Sequence, residues 1–216
     1  MKQHFIQQNN TENLTLFFAG WGVNERLFTL LPPTDNDILM CYDYRDTRFD
    51  YQLLESYKQV RLAAWSLGVW LAAFTLNQTD IRFSEKIAFN GTMHPIDDEK
   101  GIPMAVYEAT YEYLTDVSLQ KFNRRMCGSQ DFYREFMRKN PQRNVEALKE
   151  ELNSIKTIYK QTPAIDFEWT KAIVGANDRI FLPENQLVSW ENKIVIIKKE
   201  VFHYDKNTLE ELISGY

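Results

Sequence analysis

Apolar positions along the chain come in short runs that alternate between strand-like and helical spacing. Phe5-Ile6 mark a short first strand. Leu14 to Ala19 is apolar at nearly every position, as in a strand covered on both faces, and it stops at Gly20-Trp21-Gly22. Asn24 to Leu31 then has a helical pattern, ended by Pro32-Pro33. Asp37 to Asp43 predicts a second strand, Tyr44 to Asp50 a polar loop, and Tyr51 to Lys58 a short helix. Gln59 to Ala64 is a further strand. The helical stretch after it, Leu67 to Leu76, carries Val69, Trp70, Ala73 and Phe74, so most of its sides are apolar and it should lie buried against a sheet. Lys86 to Asn90 is the next strand and closes at Gly91-Thr92.

Between about Gly101 and Thr162 the strand signal disappears and apolar residues recur at helical spacing, from Met104, Tyr107 and Tyr111 to Leu152, Ile155 and Ile158. Three or four helices are expected here, broken at Gly128-Ser129 and at Asn140-Pro141. The sheet pattern resumes at Thr170 to Gly175. A helix over Pro183 to Asn192, a last strand over Lys193 to Ile197 running on to His203, and a closing helix over Asn207 to Ser214 complete the chain. Strands alternating with helices predict an α/β fold, a mostly parallel sheet with helices on both faces. Residues 1–100 and 163–216 form its core, and residues 101–162 form an all-helical insertion placed to act as a lid.

Composition narrows the class. The 216 residues are 44% hydrophobic and 25% charged, which fits a globular domain with a real core. No apolar run approaches the roughly 18 residues of a membrane span. The N-terminal residues lack the apolar stretch of a secretory leader. Cys41 and Cys127 lie far apart, and Cys41 sits in a strand pattern as a small hydrophobe; both fit a reducing cytoplasm. A net charge of −5 argues against a nucleic-acid partner.

The chemistry centres on Ala63-Ala64-Trp65-Ser66-Leu67-Gly68. A serine between a strand and a helix, with small residues two before and two after, is the pattern of a nucleophile elbow, here with Ala64 in place of the first glycine of G-x-S-x-G. The competing reading is a helix N-cap serine. A serine nucleophile needs a base, and the base needs a carboxylate. Asp178 lies just past the strand ending at Gly175, and His203 follows the last strand; Ser66, Asp178, His203 is the chain order of α/β-hydrolases. His94 is a rival base, and Asp97 or Asp98 a rival acid, since each also follows a strand. Asp178 alone reads equally as a turn or cap residue, and His203 alone as a polar loop residue. The oxyanion of an acyl intermediate requires two donors, assigned to the backbone N–H groups of Leu67 and Trp21; Trp21 read as a plain core residue is the alternative.

Phe17-Phe18-Ala19-Gly20-Trp21-Gly22, Tyr42-Asp43-Tyr44-Arg45, Ala64-Trp65-Ser66-Leu67-Gly68-Val69-Trp70 and Asn90-Gly91-Thr92 with Pro95-Ile96-Asp97 together resemble the BioG family, pimeloyl-[acyl-carrier protein] methyl ester esterases of biotin synthesis. The resemblance is specific from about residue 14 to residue 107 and looser to His203. Ala19 stands where many α/β-hydrolases have histidine. The resemblance implies the α/β-hydrolase fold and a Ser66-His203-Asp178 triad. It also implies removal of the methyl group as methanol without cofactor or metal, and an acyl-carrier protein as the partner that bears the substrate.

One feature of the insertion is consistent with that partner. Lys121, Arg124, Arg125, Arg134, Arg138, Lys139 and Arg143 face only Asp131 and Glu135 over that span, a local excess of positive charge on an acidic chain. Such a patch suits an acidic carrier protein, or is simply a solvated helix face. The triad by itself does not separate a methyl esterase from a thioesterase or a short-chain carboxylesterase, and a non-catalytic binding protein of the same fold is the reading from another class.

Overall fold

The computed structural model describes residues 1–29, 31–139 and 143–215. Seven strands form one sheet: β1 (Lys2–Gln7), β2 (Asn13–Phe18), β3 (Asp37–Tyr42), β4 (Gln59–Trp65), β5 (Phe83–Phe89), β6 (Lys171–Gly175) and β7 (Val195–Lys199). Their spatial order is β1-β3-β2-β4-β5-β6-β7. All neighbouring pairs are parallel except β1 with β3. The continuous apolar runs are the central strands: β3 is buried along its whole length and β2 from Leu14 onward. The edge strands β1 and β7 are partly exposed, in keeping with their mixed polarity.

Helix α1 (Gly68–Leu76) follows β4 and is buried at all but one position, as its all-round apolar character requires. Two of the expected helices are only single 3-10 turns, Glu25–Phe28 and Tyr51–Leu54. The side chains of Asn24 and Asp50 cap these turns through the amides of Arg26 and Gln52. The buried residues are adjacent, Leu27 and Phe28, or single, Leu54; neither makes the stripe that would hold a longer helix on the sheet. Leu30, inside the first of those expected helices, lies outside the described residues.

Between β5 and β6 the described residues form four helices, α2 (Met104–Glu112), α3 (Asp116–Cys127), α4 (Gln130–Lys139) and α5 (Val145–Gln161). Helix α3 begins with a Thr115/Ser118 capping box and closes on Gly128, where a break was expected. The second expected break, Asn140-Pro141, lies outside the described residues. After β6 come α6 (Pro183–Trp190) and α7 (Lys206–Ser214). Strand β7 starts two residues later than expected, because the Lys193 amide still closes a turn onto the Trp190 carbonyl. Cys41 and Cys127 are unpaired and buried, and burial pushes the Cys127 thiol up to about 12. Among the described residues, no helix is long and apolar enough to cross a membrane.

Candidate active site

Ser66 occupies the sharp turn between β4 and α1, with φ at +61°. A non-glycine residue in this left-handed region carries strain of roughly 1–3 kcal/mol unless its surroundings hold it. They do. The Ser66 amide donates to the Phe89 carbonyl at 3.0 Å, and its carbonyl accepts from Val69 at 3.1 Å. A Cβ on Gly68 would sit 2.4 Å from the Phe18 carbonyl oxygen, so α1 can start this close to β2 only with glycine there. A Cβ on Gly91 would sit 2.3 Å from the Ser66 carbonyl oxygen. Gly91→Ala is therefore expected to push the elbow away from β5, costing about 1–3 kcal/mol in urea unfolding. Labelling of Ser66 by a fluorophosphonate should slow in step; unchanged stability and labelling would show that the elbow yields freely.

The His203 ring reaches Ser66 from the loop after β7. Its Nε2 lies 3.0 Å from Ser66 Oγ, and its Nδ1 lies 2.8 Å from Asp178 Oδ2. A carboxylate at Nδ1 accepts a hydrogen bond, which places the ring proton on Nδ1 and leaves Nε2 free to accept from the serine hydroxyl. Asp178 is itself held from three sides. Its Oδ1 accepts from the amides of Ile180 at 2.7 Å and Phe181 at 3.1 Å, and its Oδ2 accepts from Gln186 Nε2 at 3.1 Å. The His203 ring stacks on Phe181 at 6.1 Å and meets Trp65 at 5.5 Å. Its carbonyl accepts from Trp65 Nε1 at 3.0 Å and Asn90 Nδ2 at 3.1 Å. Asn90 Oδ1 also accepts from the Gly175 amide at 2.7 Å, so one side chain joins the ends of β5 and β6 to the histidine loop.

Gln186, Asn90 and Trp65 were not singled out as site residues. Gln186 lies in an otherwise ordinary amphipathic helix, and nothing in its local sequence marks it. Asn90 directly follows a strand that ends on the same rim, which was a usable signal.

The rivals have other duties. His94 lines a separate cavity with Trp70, Met93, Tyr159 and Trp190, where burial holds its pKa below the ordinary value. Asp97 Oδ1 accepts from the amides of Glu99 and Lys100, and Asp98 Oδ1 from that of Met104. Both are turn and helix caps.

Ser66 opens into a chamber bounded by Trp21 and Ile102, by Val106 and Tyr107 of α2, by Phe122 of α3 and by Leu152 of α5. Leu67 and Trp21 both line it, and among the described residues neither backbone amide donates to a protein acceptor. The Trp21 indole packs edge-on against Phe122 at 5.1 Å and donates to the Leu148 carbonyl at 3.1 Å. Among the described residues, Arg125 is the one arginine or lysine on the chamber wall; burial lowers its pKa, opposed by the attraction of Asp178.

The basic residues of the insertion divide. Arg124 and Arg138 are exposed, with the Arg124 guanidinium over the Tyr133 ring at 5.1 Å. Lys121 and Arg134 are also exposed, Arg134 beside Asp131 at 3.5 Å, while Lys139 is less so and lies 3.6 Å from Glu135. Arg143 does not belong to this surface. Its side chain is only 9% exposed and is paired with Asp43 at 3.0 Å and Glu151 at 2.7 Å. A charge count along the chain cannot distinguish an exposed arginine from one turned inward to meet buried carboxylates.

A seven-stranded, mostly parallel sheet with a serine at the β4–α1 turn and the acid and histidine after β6 and β7 is the architecture of the α/β-hydrolases. The chain belongs to the BioG family: the family described as "Pimeloyl-ACP methyl esterase BioG" matches residues 1–211. It is similar to the crystal structure of BioG from Haemophilus influenzae, with a TM-score of 0.89, 36% identity and 96% of each chain covered. It is also 45% identical over 200 residues to a malonyl-[acyl-carrier protein] O-methyltransferase from Bacteroides fragilis; the match takes in 92% of this chain and 41% of that protein. A lipase-esterase related protein from Clostridium acetobutylicum shares the fold, at a TM-score of 0.65 and 14% identity, with 99% of this chain and 94% of that one covered.

Proposed function

We propose that this protein is a serine carboxylesterase that hydrolyses pimeloyl-acyl-carrier-protein methyl ester to pimeloyl-acyl-carrier protein and methanol. The observation that carries the reading is the Ser66 Oγ–His203 Nε2–Asp178 alignment, at 3.0 and 2.8 Å, on a serine held in left-handed backbone. Ser66 Oγ attacks the ester carbonyl while His203 Nε2 takes its proton. Asp178 stabilises the imidazolium. The oxyanion accepts from the amides of Leu67 and Trp21. Collapse expels methoxide, which takes the proton from His203 and leaves as methanol. Water then attacks the acyl-enzyme with His203 as base, and the free carboxylate departs from Ser66. No step calls for a metal or cofactor.

Helices α2 to α5, within residues 101–162, serve as a lid, and α2, α3 and α5 contribute Val106, Tyr107, Phe122 and Leu152 to the chamber wall. Two unpaired buried thiols fit a cytoplasmic setting. The methyltransferase name belongs to a protein more than twice the length of the matched region. Here the site is built to direct a hydroxyl at an acyl carbon, so methyl transfer is not assigned to this chain.

Arg124, Arg125, Arg134, Arg138 and Lys139 form the face offered to the acidic carrier protein, and Arg143 is excluded by its buried pairing. Arg124→Glu with Arg138→Glu should raise KM about 10-fold or more for the carrier-bound methyl ester and leave a free methyl ester unaffected. Steady-state kinetics on both substrates tests this. Equal losses on the two would remove the carrier from the proposal and leave a small-ester carboxylesterase.

A further inference from the structure

We infer that helix α5 sets the oxyanion turn, with Glu151 and Tyr44 as positioning residues for the Trp21 amide; the inference rests on the esterase reading above. The turn Ala19-Gly20-Trp21-Gly22 is tied to α5 at both of its ends. At one end, the Trp21 indole N–H donates to the Leu148 carbonyl at 3.1 Å. At the other, the tie runs through Tyr44. The Glu151 carboxylate, one helical turn beyond Leu148, accepts from the Tyr44 amide at 2.8 Å. The Tyr44 hydroxyl, across its ring, donates to the Ala19 carbonyl at 2.8 Å, with the Cys41 carbonyl at 3.0 Å. Ala19 directly precedes Gly20 and Trp21, which line the chamber and between which the peptide group carries the Trp21 N–H. With both flanks fixed to one rigid helix, the amide has little freedom to swing.

Glu151 is held in turn. Its second oxygen accepts from Arg143 Nη1 at 2.7 Å, and Arg143 also reaches Asp43 at 3.0 Å, beside the Arg45 guanidinium. Glu151 and Tyr44 are both fully buried, and neither lines the chamber, so neither touches substrate. A buried carboxylate is an expensive way to fill space, since a leucine would pack there without desolvating a charge. What the carboxylate adds is direction: one oxygen for a backbone amide of the β3 loop, one for an arginine. The same contacts account for Asp43, Tyr44 and Arg45 of the Tyr42-Asp43-Tyr44-Arg45 segment, distinctive in the sequence and remote from the nucleophile.

The test compares wild type, Ser66→Ala, Tyr44→Phe, Glu151→Gln and Glu151→Leu on p-nitrophenyl acetate, with inhibition by an alkyl trifluoromethyl ketone that adds to Ser66 as a tetrahedral oxyanion. Tyr44→Phe and Glu151→Leu should lower kcat about 10-fold with KM unchanged, a fraction of the loss that follows removal of a whole oxyanion donor. The ketone's inhibition constant should rise by the same factor. Glu151→Gln, which retains an oxygen for the Tyr44 amide, should recover most of kcat. Melting temperatures are recorded for every variant, and kinetics are run below the lowest. Tyr44→Phe removes a single oxygen atom and carries the test if Glu151→Leu does not fold. A lower melting temperature with unchanged kcat and ketone affinity would overturn the inference and make these residues structural only. Wild-type turnover no greater than that of Ser66→Ala would instead overturn the esterase reading, and this inference with it.

Discussion

Ser66→Ala is expected to reduce kcat for ester hydrolysis by about 10⁶-fold while the protein stays folded. The substitution deletes one oxygen and leaves His203 and Asp178 in place, each anchored by contacts that do not involve Ser66. His203→Ala should cost about as much, and the double variant little more than either, because the groups act as a unit. Residual activity would come from the Leu67 and Trp21 amides and from substrate binding. Alanine at this position keeps the same left-handed backbone, so unfolding free energy should change by less than about 1 kcal/mol. Initial rates and urea melts on the same preparations decide the matter. Additive losses would mean that Ser66 and His203 serve separate roles.

Arg143→Ala is expected to destabilise the protein by about 3–5 kcal/mol, the largest stability loss for any basic residue of the insertion. Arg143 bridges two buried carboxylates, and its removal leaves Glu151 with the Tyr44 amide alone. Adding Glu151→Leu should restore much of the loss, since the burial cost of the carboxylate goes with it. The pH dependence gives a second check. Burial raises the Glu151 pKa against the pull of Arg143, so the folded state keeps this proton to higher pH than the unfolded chain. Its contribution to stability therefore falls as pH rises from the ordinary carboxylate value through the raised one. Asp43 runs the other way. Burial opposes ionisation, but Arg45 and Arg143 outweigh it and hold the group below its ordinary value, so its contribution is lost as pH falls through that lowered value. Removing Arg143 should steepen the first slope. Urea unfolding above about pH 4 reads the first and below about pH 4 the second; a flat profile with a small loss would show that the pair is screened by water.

Much of this architecture is legible because buried parallel strands are unmistakable in composition. The runs around Leu16 and Leu39 are apolar at nearly every position, and the run through Leu62 becomes so from Leu62 to Trp65, unlike a surface strand. Ser66, Asp178 and His203 could be picked out because each follows such a run, and the ends of parallel strands share one rim. The crossovers flanking β3 were less readable. Helical-looking spacing around Leu27 and Leu54 reflects one or two residues anchored to the sheet, and a single capped turn suffices for that. Gln186 and Asn90 escaped because their roles depend on partners 8 to 113 residues away, the Asp178 carboxylate and the His203 carbonyl. Arg143 was misplaced for the same reason: its partners are carboxylates on β3's loop and on α5, invisible to a count of neighbouring charges.

The most direct test of the central claim is mass spectrometry of the carrier protein after incubation of pimeloyl-acyl-carrier-protein methyl ester with wild type and with Ser66→Ala. The account predicts that wild type releases methanol and leaves the acyl chain on the carrier as a free terminal carboxylate, and that Ser66→Ala leaves the methyl ester intact. A carrier stripped of its acyl chain by wild type would contradict it in favour of a thioesterase, and demethylation that persists in Ser66→Ala would contradict it altogether.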